Sequence, residues 1–331
     1  MSNHIKADIA RGYRKKYGKE MPTAKLARIM YNENKFVFDD REDARSRLRY
    51  IEGKMGKGHS KKVKHTEFFI EEERSSNPYK LPSSDETVYE PFVLKGHKRL
   101  AILSDIHIPY HSMAAITAAL DFCKKEKPDA LLINGDLLDC FQLSRFIKDP
   151  RKRHFAEELK MFKEVIEIFS KTLKCKIYFK YGNHEERYEH FLFTKAKELI
   201  GVEEFELENI IKARANGIEI IKDKRIIHAA GLNIIHGHEF STAFFSPVNV
   251  ARGLFLRGKT SALQGHSHQT SSHTESDMNG KITTTWSAGC LCELHPEYAP
   301  INRWNWGFAI VDIDGKNFNV RNKTIYKGEV F

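Results

Sequence analysis

Carboxylates, imidazoles and an asparagine amide recur where short apolar runs end. Leu100-Ala101-Ile102-Leu103 runs into Asp105-Ile106-His107, and Ala130 to Ile133 is closed by Asn134-Gly135-Asp136. Ile177 to Tyr181 is closed by Gly182-Asn183-His184-Glu185, Leu232 to Ile235 by His236-Gly237-His238, and Ser261 to Gln264 by Gly265-His266-Ser267-His268. A carboxylate and an imidazole two residues apart on an extended chain point the same way and can reach one ion. One Asp-x-His at a strand end is most often incidental. Five such ends together carry more weight, because ligands in open α/β sheets gather at the carboxyl ends of strands, and their convergence makes a polynuclear metal site. Two divalent ions about 3.5–4 Å apart can activate a water and offset negative charge on a bound group, and Asp, Asn and His suit borderline and hard first-row ions.

The elements that must position these residues alternate. The Leu100 run reads as a buried strand. Met113, Ile116, Leu120 and Cys123 then fit a helix, Ala130 to Ile133 a strand, and Phe155, Leu159, Phe162, Ile166 and Phe169 a long helix before the Ile177 strand. Strand–helix–strand alternation predicts a parallel sheet with right-handed crossovers. Residues 186–221 read as mostly helical and charged, Arg225 to Ile235 as a hairpin, and Ser246-Pro247 as the start of a helix running to about Leu256. Beyond His268 the pattern is β, with Lys281 to Trp286, Phe308 to Ile313 and Phe318 to Tyr326, and Asp314-Gly315 as a hairpin turn. Thr87 to Leu94 is a candidate first strand, placed at an edge by Pro91.

The order D-x-H, G-D-x-x-D, G-N-H-E, H-G-H, G-H-x-H over Leu100 to His268 resembles the calcineurin-like metallophosphoesterase superfamily. That resemblance implies an α/β fold of two facing mixed β-sheets flanked by helices (an α+β sandwich), a dinuclear metal site at strand ends, and a tail that completes the second sheet. Residue by residue, it makes Asp105, His107 and His268 ligands of a first ion and Asn183, His236 and His266 ligands of a second, with Asp136 bridging both. His184 becomes the group that contacts the transferring phosphoryl, and Asp139 and Glu185 orient imidazoles by hydrogen bonds. His238 competes with His236 for its place. The implied cofactors are two divalent metal ions, Mn first, with Fe, Zn, Ni, Mg or Co also suited, and the implied attack is by a hydroxide between them. Gly135-Asp136-Leu137-Leu138-Asp139-Cys140-Phe141 lacks the Arg-Gly usual in protein phosphatases and is closer to the phosphodiesterase and DNA-repair nuclease branch. The tail from Gly289-Cys290-Leu291-Cys292 through Asn302-Arg303-Trp304 looks like that of bacterial and phage members. Tyr110, Arg187 and Arg252 are rim candidates for phosphate contact, and His111 for substrate. Trp304 and Trp306 either stack on a base or pack.

At 331 residues the chain holds one large domain and a smaller one. Residues 1–65 read as a basic helical, helix-turn-helix-like domain, 66–86 as a linker, and 87–331 as the metallophosphoesterase domain. The whole chain carries 54 Lys and Arg against 44 Asp and Glu, a net +10, and residues 1–65 carry 18 against 8, also +10. All the basic excess therefore lies in the N-terminal fifth. Three short helices are expected there, the last with Arg41, Arg45 and Arg49 on one face and Arg47 apart. These arginines would track phosphates, or would simply pair with acids along a solvated helix. Lys54 to Lys64 reads as a mobile Gly- and Lys-rich stretch. A nucleic acid is the expected partner, and no membrane is, since no apolar run approaches the ~20 residues a membrane helix needs. Five irregularly spaced cysteines and an N-terminus without an apolar leader predict reduced thiols in the cytoplasm of a bacterial or phage-infected cell. The expected activity is a metal-dependent phosphodiesterase or nuclease. Its rivals are a small-ester phosphodiesterase or phosphomonoesterase whose N-terminal unit serves protein contact or oligomerisation, and a nucleic-acid-binding protein with a vestigial metal site.

Overall fold

A computed structural model describes residues 3–70, 81–82, 89–147, 154–240 and 248–331. The chain divides into two compact units, Met1–Glu86 and Thr87–Phe331. Most of the expected linker, residues 87–88 of the expected first strand, and Ser246 and Pro247 lie outside the described residues.

The first unit contains α1 (Asn3–Tyr17), α2 (Thr23–Glu33), α3 (Arg41–Ile51) and α4 (Lys57–Val63). Its core is Ala10, Leu26, Met30, Ala44 and Leu48, all buried at helical spacing. Asp40 caps α3 by accepting from Asp43 N at 2.7 Å. Through the middle runs a buried polar group: the Arg14 guanidinium pairs with the Glu52 carboxylate, and Glu52 also accepts from Thr23 Oγ1 at 2.7 Å and pairs with Lys54 Nζ at 2.9 Å. Arg14 further donates to Gly18 O and Met21 O at 2.9 and 2.7 Å, which ties the end of α1 to the turn before α2. The Lys54–Lys64 stretch, expected to be mobile, forms α4 from Lys57. No side chain of α4 is buried; its anchor is His59, whose Nε2 lies 2.6 Å from Tyr50 O and whose ring lies tilted, centroids 4.4 Å apart, against that of Tyr50.

The second unit runs β1 (Phe92–Val93), β2 (Arg99–Leu103), α5 (Met113–Glu126), β3 (Ala130–Asn134), α6 (Phe155–Leu173), β4 (Lys176–Lys180), α7 (Glu186–Lys195), α8 (Leu207–Ile210), β5 (Ile218–Ile221), β6 (Ile227–Ala229), β7 (Leu232–Ile234), α9 (Val250–Gly258), β8 (Ala262–Gln264), β9 (Ser271–Ser276), β10 (Ile282–Ser287), β11 (Gly307–Asp314), β12 (Asn317–Tyr326) and β13 (Glu329–Val330). One sheet has seven strands in the order β13-β12-β11-β2-β3-β4-β5, the other six in the order β1-β6-β7-β8-β10-β9. Both are mixed. The period of two along β2 and β3 explains the layering. Leu100, Ile102, Ala130 and Leu132 face one way and pack with Ile227, Leu232, Ile234 and Leu263 of the second sheet. Ala101, Leu103, Leu131 and Ile133 face the other way, onto Ala119, Cys123, Phe162 and Phe169 of α5 and α6. Helix α9 covers the outer face of the six-stranded sheet through Leu254 against Ala262.

Three expectations need correction. Residues 186–221 end in a strand, β5, because Ile218 and Ile221 are buried beside β4. The tail does not go to one sheet: β10 pairs with β8, whereas β11 pairs with β2 and carries β12 and β13 with it. Helix α9 begins at Val250, where the Asn249 side chain accepts from Arg252 N at 3.0 Å. Pro91 does precede an edge strand, β1.

One buried carboxyl on this scaffold makes a stability prediction. Glu158 of α6 accepts from Cys140 N at 2.8 Å, and burial, reinforced by the Asp139 and Glu185 carboxylates, pushes its pKa up to about 8. A carboxyl raised in the folded state binds more protons folded than unfolded, so its contribution to stability falls as pH rises from 4.5 to about 8. Glu158→Gln keeps the acceptor and removes the charge. It is expected to raise the melting temperature at pH 8.5 by roughly 3–6 °C, on the order of 1–2 kcal/mol, and to change little at pH 5. Melting curves at the two pH values check this; an equal shift at both would assign the effect to packing.

Candidate metal centre

The five loops meet because their strands end level. Leu103 pairs with Ile133 and Ile133 with Phe179 in the seven-stranded sheet, while Ile234 pairs with Leu263 in the other. The loops are then tied to each other: His107 N donates to Asp136 O at 2.9 Å, Asp105 N to Gly135 O at 3.2 Å, and Gly265 N to His236 O at 2.8 Å. Asp105, His107, Asp136, His266 and His268 all have left-handed backbone, with φ of 56°, 52°, 53°, 65° and 54°. Side-chain-bearing residues seldom adopt this region, and such strain concentrates at functional sites. Two glycines admit the close approach. A Cβ at Gly182 would collide with the Asp136 carboxylate, and one at Gly265 with the Ser104 hydroxyl beside Asp105.

Among the described residues the side chains converge in four groups, His107–His268–Cys292 and His107–Asp139–His184 among them, and two of the four overlap at Asp136. Asp105, His107 and Asp136 bring ligand atoms within 4.8 Å of one another, and so do Asp136, His236 and His266. Asp136 belongs to both. His268 Nε2 lies 3.1 Å from Asp105 Oδ1 and 3.2 Å from His107 Nε2. His236 Nε2 lies 3.2 Å from Asp136 Oδ2 and 3.2 Å from Asn183 Oδ1. His236 Nδ1 donates to Asn134 O at 2.8 Å, which leaves Nε2 as the inward atom. His107 Nδ1 is likewise held by Asp139 Oδ2 at 3.0 Å. This donor set fits divalent cations on direct observation. Two imidazole nitrogens, of His107 and His268, face each other, and His266 Nδ1 is buried without a hydrogen-bond partner among the described residues.

The electrostatics agree. Burial alone would raise Asp105, but the adjacent His268 imidazole outweighs it and holds the carboxyl well below the usual range. Burial is outweighed at Asp136 too, by His184 and His236, and at Asp139 by hydrogen bonds from His107 and His184. His236, despite burial, is pushed up to about 10 by Asp136 and Asp105, whereas burial and the charge of His236 push His266 down to about 4. The pocket is thus a set of ionised carboxylates balanced by protons on imidazoles, and a cation entering it must displace those protons.

His184 stands beside this cluster. Its Nδ1 lies 2.8 Å from Asp139 O, which can only accept, so Nδ1 carries the hydrogen and Nε2 is presented 3.8 Å from Asp136 Oδ2. Arg187 Nη2 lies 2.9 Å from that Nε2 and Nη1 donates to Asp139 O at 2.8 Å, bringing this rim candidate into the site. Tyr110 lines a cavity with His107 and Asp139. Arg252, by contrast, is exposed on α9. His238 turns to Glu186, 2.9 Å from its Oε1, and leaves the inward position to His236. His111 pairs its backbone with Cys292. Glu185 does not orient an imidazole as expected. It accepts from the backbone amides of Gly182, Asp136 and Leu138 at 2.8, 3.0 and 2.9 Å, and so clamps two metal loops together. Glu239, passed over in the sequence although it follows H-G-H directly, does the same for a third: it accepts from His236 N at 2.9 Å and Gly237 N at 2.6 Å and pairs with the buried Lys180 at 2.9 Å.

Of the basic residues expected to track phosphate, Arg41 is exposed at the start of α3 and Arg45 pairs with Glu42 at 3.3 Å. Arg47 lies 3.8 Å from Asp43, and Arg49 donates to Lys54 O at 3.3 Å. The row is therefore partly engaged with its own unit.

Paired sheets with a cluster of His, Asp and Asn at the ends of their strands define a two-sheet metallohydrolase. The chain belongs to the calcineurin-like phosphoesterase family, whose model matches residues 98–284. It is a metal-dependent phosphoester hydrolase. The chain is 26% identical over 233 residues to the Gene 54 protein of Mycobacterium phage L5, covering 66% of this chain and 91% of that protein. Similar solved structures include Vacuolar Protein Sorting 29 from Cryptosporidium parvum, with 13% identity and a TM-score of 0.40 over 71% of this chain and 95% of that chain. Another is Yfce, a phosphoesterase from E. coli, with 16% identity and a TM-score of 0.32 over 65% of this chain and 89% of that one. Among the described residues, no helix is long and apolar enough to cross a membrane.

Proposed function

We propose that the protein is a phosphodiesterase that cleaves nucleic acid in the cytoplasm of a bacterial or phage-infected cell, using a pair of divalent ions, manganese first among them. Asp105, His107 and His268 would hold one ion, Asn183, His236 and His266 the other, with Asp136 shared. Such ions, when bound, activate the attacking water and offset charge on the phosphoryl group. The remaining work falls to the chain. Asp139 O fixes the His184 ring with Nε2 accepting from Arg187 Nη2, and once protonated and released from that guanidinium Nε2 would donate its proton to the leaving oxygen. Arg187, next to it, would bind a phosphoryl oxygen through its planar guanidinium. The net reaction adds one water across a P–O bond: the water oxygen joins phosphorus, the bond to the leaving oxygen breaks, and that oxygen gains the proton.

The observation that carries the nucleic-acid reading is the separation of charge. The whole positive excess lies in residues 1–65, on a unit with its own core. Lys57, Lys61, Lys62 and Lys64 are exposed on or beside α4 and make a better phosphate-tracking row than the partly paired arginines of α3. Each phosphate neutralised contributes about −0.9 to the slope of log affinity against log salt on duplex DNA. The quadruple change of these lysines to Gln is expected to reduce that slope by about 3–4 and to leave turnover of a small aryl diester unaffected. Binding titrations at several salt concentrations check it. A salt-independent affinity, or a slope unmoved by the four changes, would favour a small-ester substrate and a protein partner for the N-terminal unit.

A further inference from the structure

The stretch Gly289-Cys290-Leu291-Cys292 is bonded to a metal loop. Leu291 N donates to Asp105 O at 3.0 Å, and Leu291 O accepts from Ser112 N at 2.8 Å. Trp306 packs against the core and donates Nε1–H to Cys292 O at 2.8 Å, which fixes the backbone of Cys292. A Cβ at Gly289 would collide with Asn305 O, so glycine there lets the Asn305 segment close in. Both cysteines are buried and carry free thiols.

Oxygen atoms hold the outward nitrogens of two cluster imidazoles: Asp139 Oδ2 lies 3.0 Å from His107 Nδ1, and Asn134 O lies 2.8 Å from His236 Nδ1. His268 has sulfur in that position. Its Nε2 faces Asp105 Oδ1 at 3.1 Å, and its Nδ1 lies 3.9 Å from Cys292 Sγ. Beyond this sulfur the bonding continues. The Cys292 thiol is hydrogen-bonded to that of Cys290, a bond that raises the pKa of Cys292 and lowers that of Cys290, as follows when Cys292 is the donor. Cys290 Sγ in turn donates to Asn305 O at 3.7 Å, and Asn305 N donates to His268 O at 2.9 Å. The bonds thus return to the residue from which they started, and a thiol can both donate and accept along such a chain.

The direction of these bonds matters to an ion. A neutral imidazole carries its hydrogen on one nitrogen only. Were the Cys292 hydrogen given to His268 Nδ1, the ring hydrogen would sit on Nε2 and block it as a ligand. With the Cys292 hydrogen given to Cys290, Nδ1 keeps the ring hydrogen, donates it to Cys292 Sγ, and leaves the Nε2 lone pair facing the cluster. We propose that Cys292, with Cys290 behind it, is a positioning residue that fixes the tautomer and orientation of His268 for a metal ion. The proposal rests on the assignment of Asp105, His107 and His268 to one ion and adds the group that holds the last of them. Sulfur is a weak acceptor, so an oxygen acceptor placed there should serve in its stead.

The test follows Mn²⁺ binding to the metal-free full-length protein by equilibrium dialysis, with aryl diester hydrolysis measured as Mn²⁺ is raised. Cys292→Ala should weaken the binding of one ion by about 10–100-fold, and should move the Mn²⁺ midpoint of activity far more than its plateau. Cys292→Asn returns a neutral acceptor on a longer side chain, at a position that lines a cavity, and should restore most of the affinity. Cys290→Ala should act in the same direction and more weakly. In a His268→Ala background, Cys292→Ala should add nothing to the loss. Mn²⁺ affinity unmoved in a folded Cys292→Ala overturns the inference, and so does a loss of the same size with and without His268. Should Cys292→Ala fail to fold, the other two variants decide: wild-type affinity in Cys290→Ala, or a folded Cys292→Asn as weak as His268→Ala, overturns it. If His268→Ala itself binds Mn²⁺ as tightly as the wild type, the ion assignment fails, and the inference with it.

Discussion

Asp136→Asn is expected to lower kcat for any phosphodiester by about 10³-fold or more, a loss of roughly 4 kcal/mol of transition-state stabilisation, with the melting temperature at neutral pH largely kept. Asp136 is common to the two ligand groups, and its Oδ2 lies 3.2 Å from His236 Nε2 and 3.8 Å from both His107 Nε2 and His184 Nε2. An amide keeps the volume and one oxygen acceptor but removes the charge on which a pair of cations would depend. It also removes the carboxylate that, against burial, holds up the pKa of His236. Metal content should therefore fall together with activity. The measurement is steady-state hydrolysis of an aryl diester with metal analysis of the same samples. Full activity in Asp136→Asn would place the reaction elsewhere.

The second large effect belongs to the other unit. Arg14→Met should destabilise the N-terminal helices by about 3–5 kcal/mol, because it leaves the Glu52 carboxylate, fully buried, without its guanidinium partner. A unit of this size has stability of the same order, so the change should unfold it. Limited proteolysis should cut within residues 3–70 while aryl diester hydrolysis in the second unit continues. The double change Arg14→Met with Glu52→Met removes both charges and should recover much of the loss. If the single change leaves the unit protease-resistant, the buried pair does not hold it together.

Much of this was legible in the sequence, for a physical reason. Metal chemistry allows few residue types, and those types had to sit where strands end, so D-x-H through G-H-x-H marked both the site and the strands before it. What stayed hidden depended on partners far along the chain. Strand β5 is four residues after a charged stretch and exists because β4 offers it an edge. The alternation in the tail identified strands but not the sheet each would join, since pairing is decided by contacts absent from local pattern. Helix α4 has one glycine, Gly58, and no apolar face, and its anchor is a histidine against Tyr50. Glu185 lay within a motif, yet its role as a clamp on three backbone amides is a matter of loop geometry that no spacing reveals. The same holds for Trp304 and Trp306: two residues apart in sequence, one packs in the core and the other flanks a metal-cluster histidine.

The central claim is that the clustered His, Asp and Asn side chains hold the ions that make this chain a hydrolase. Its most direct test begins with chelator-treated, metal-free protein and adds Mn²⁺ back while aryl diester hydrolysis and bound metal are followed together. No turnover is expected without metal, with recovery that saturates near two ions per chain and loss of both binding and recovery in Asp136→Asn. Hydrolysis that survives complete metal removal, or recovery equal in Asp136→Asn and wild type, would contradict it.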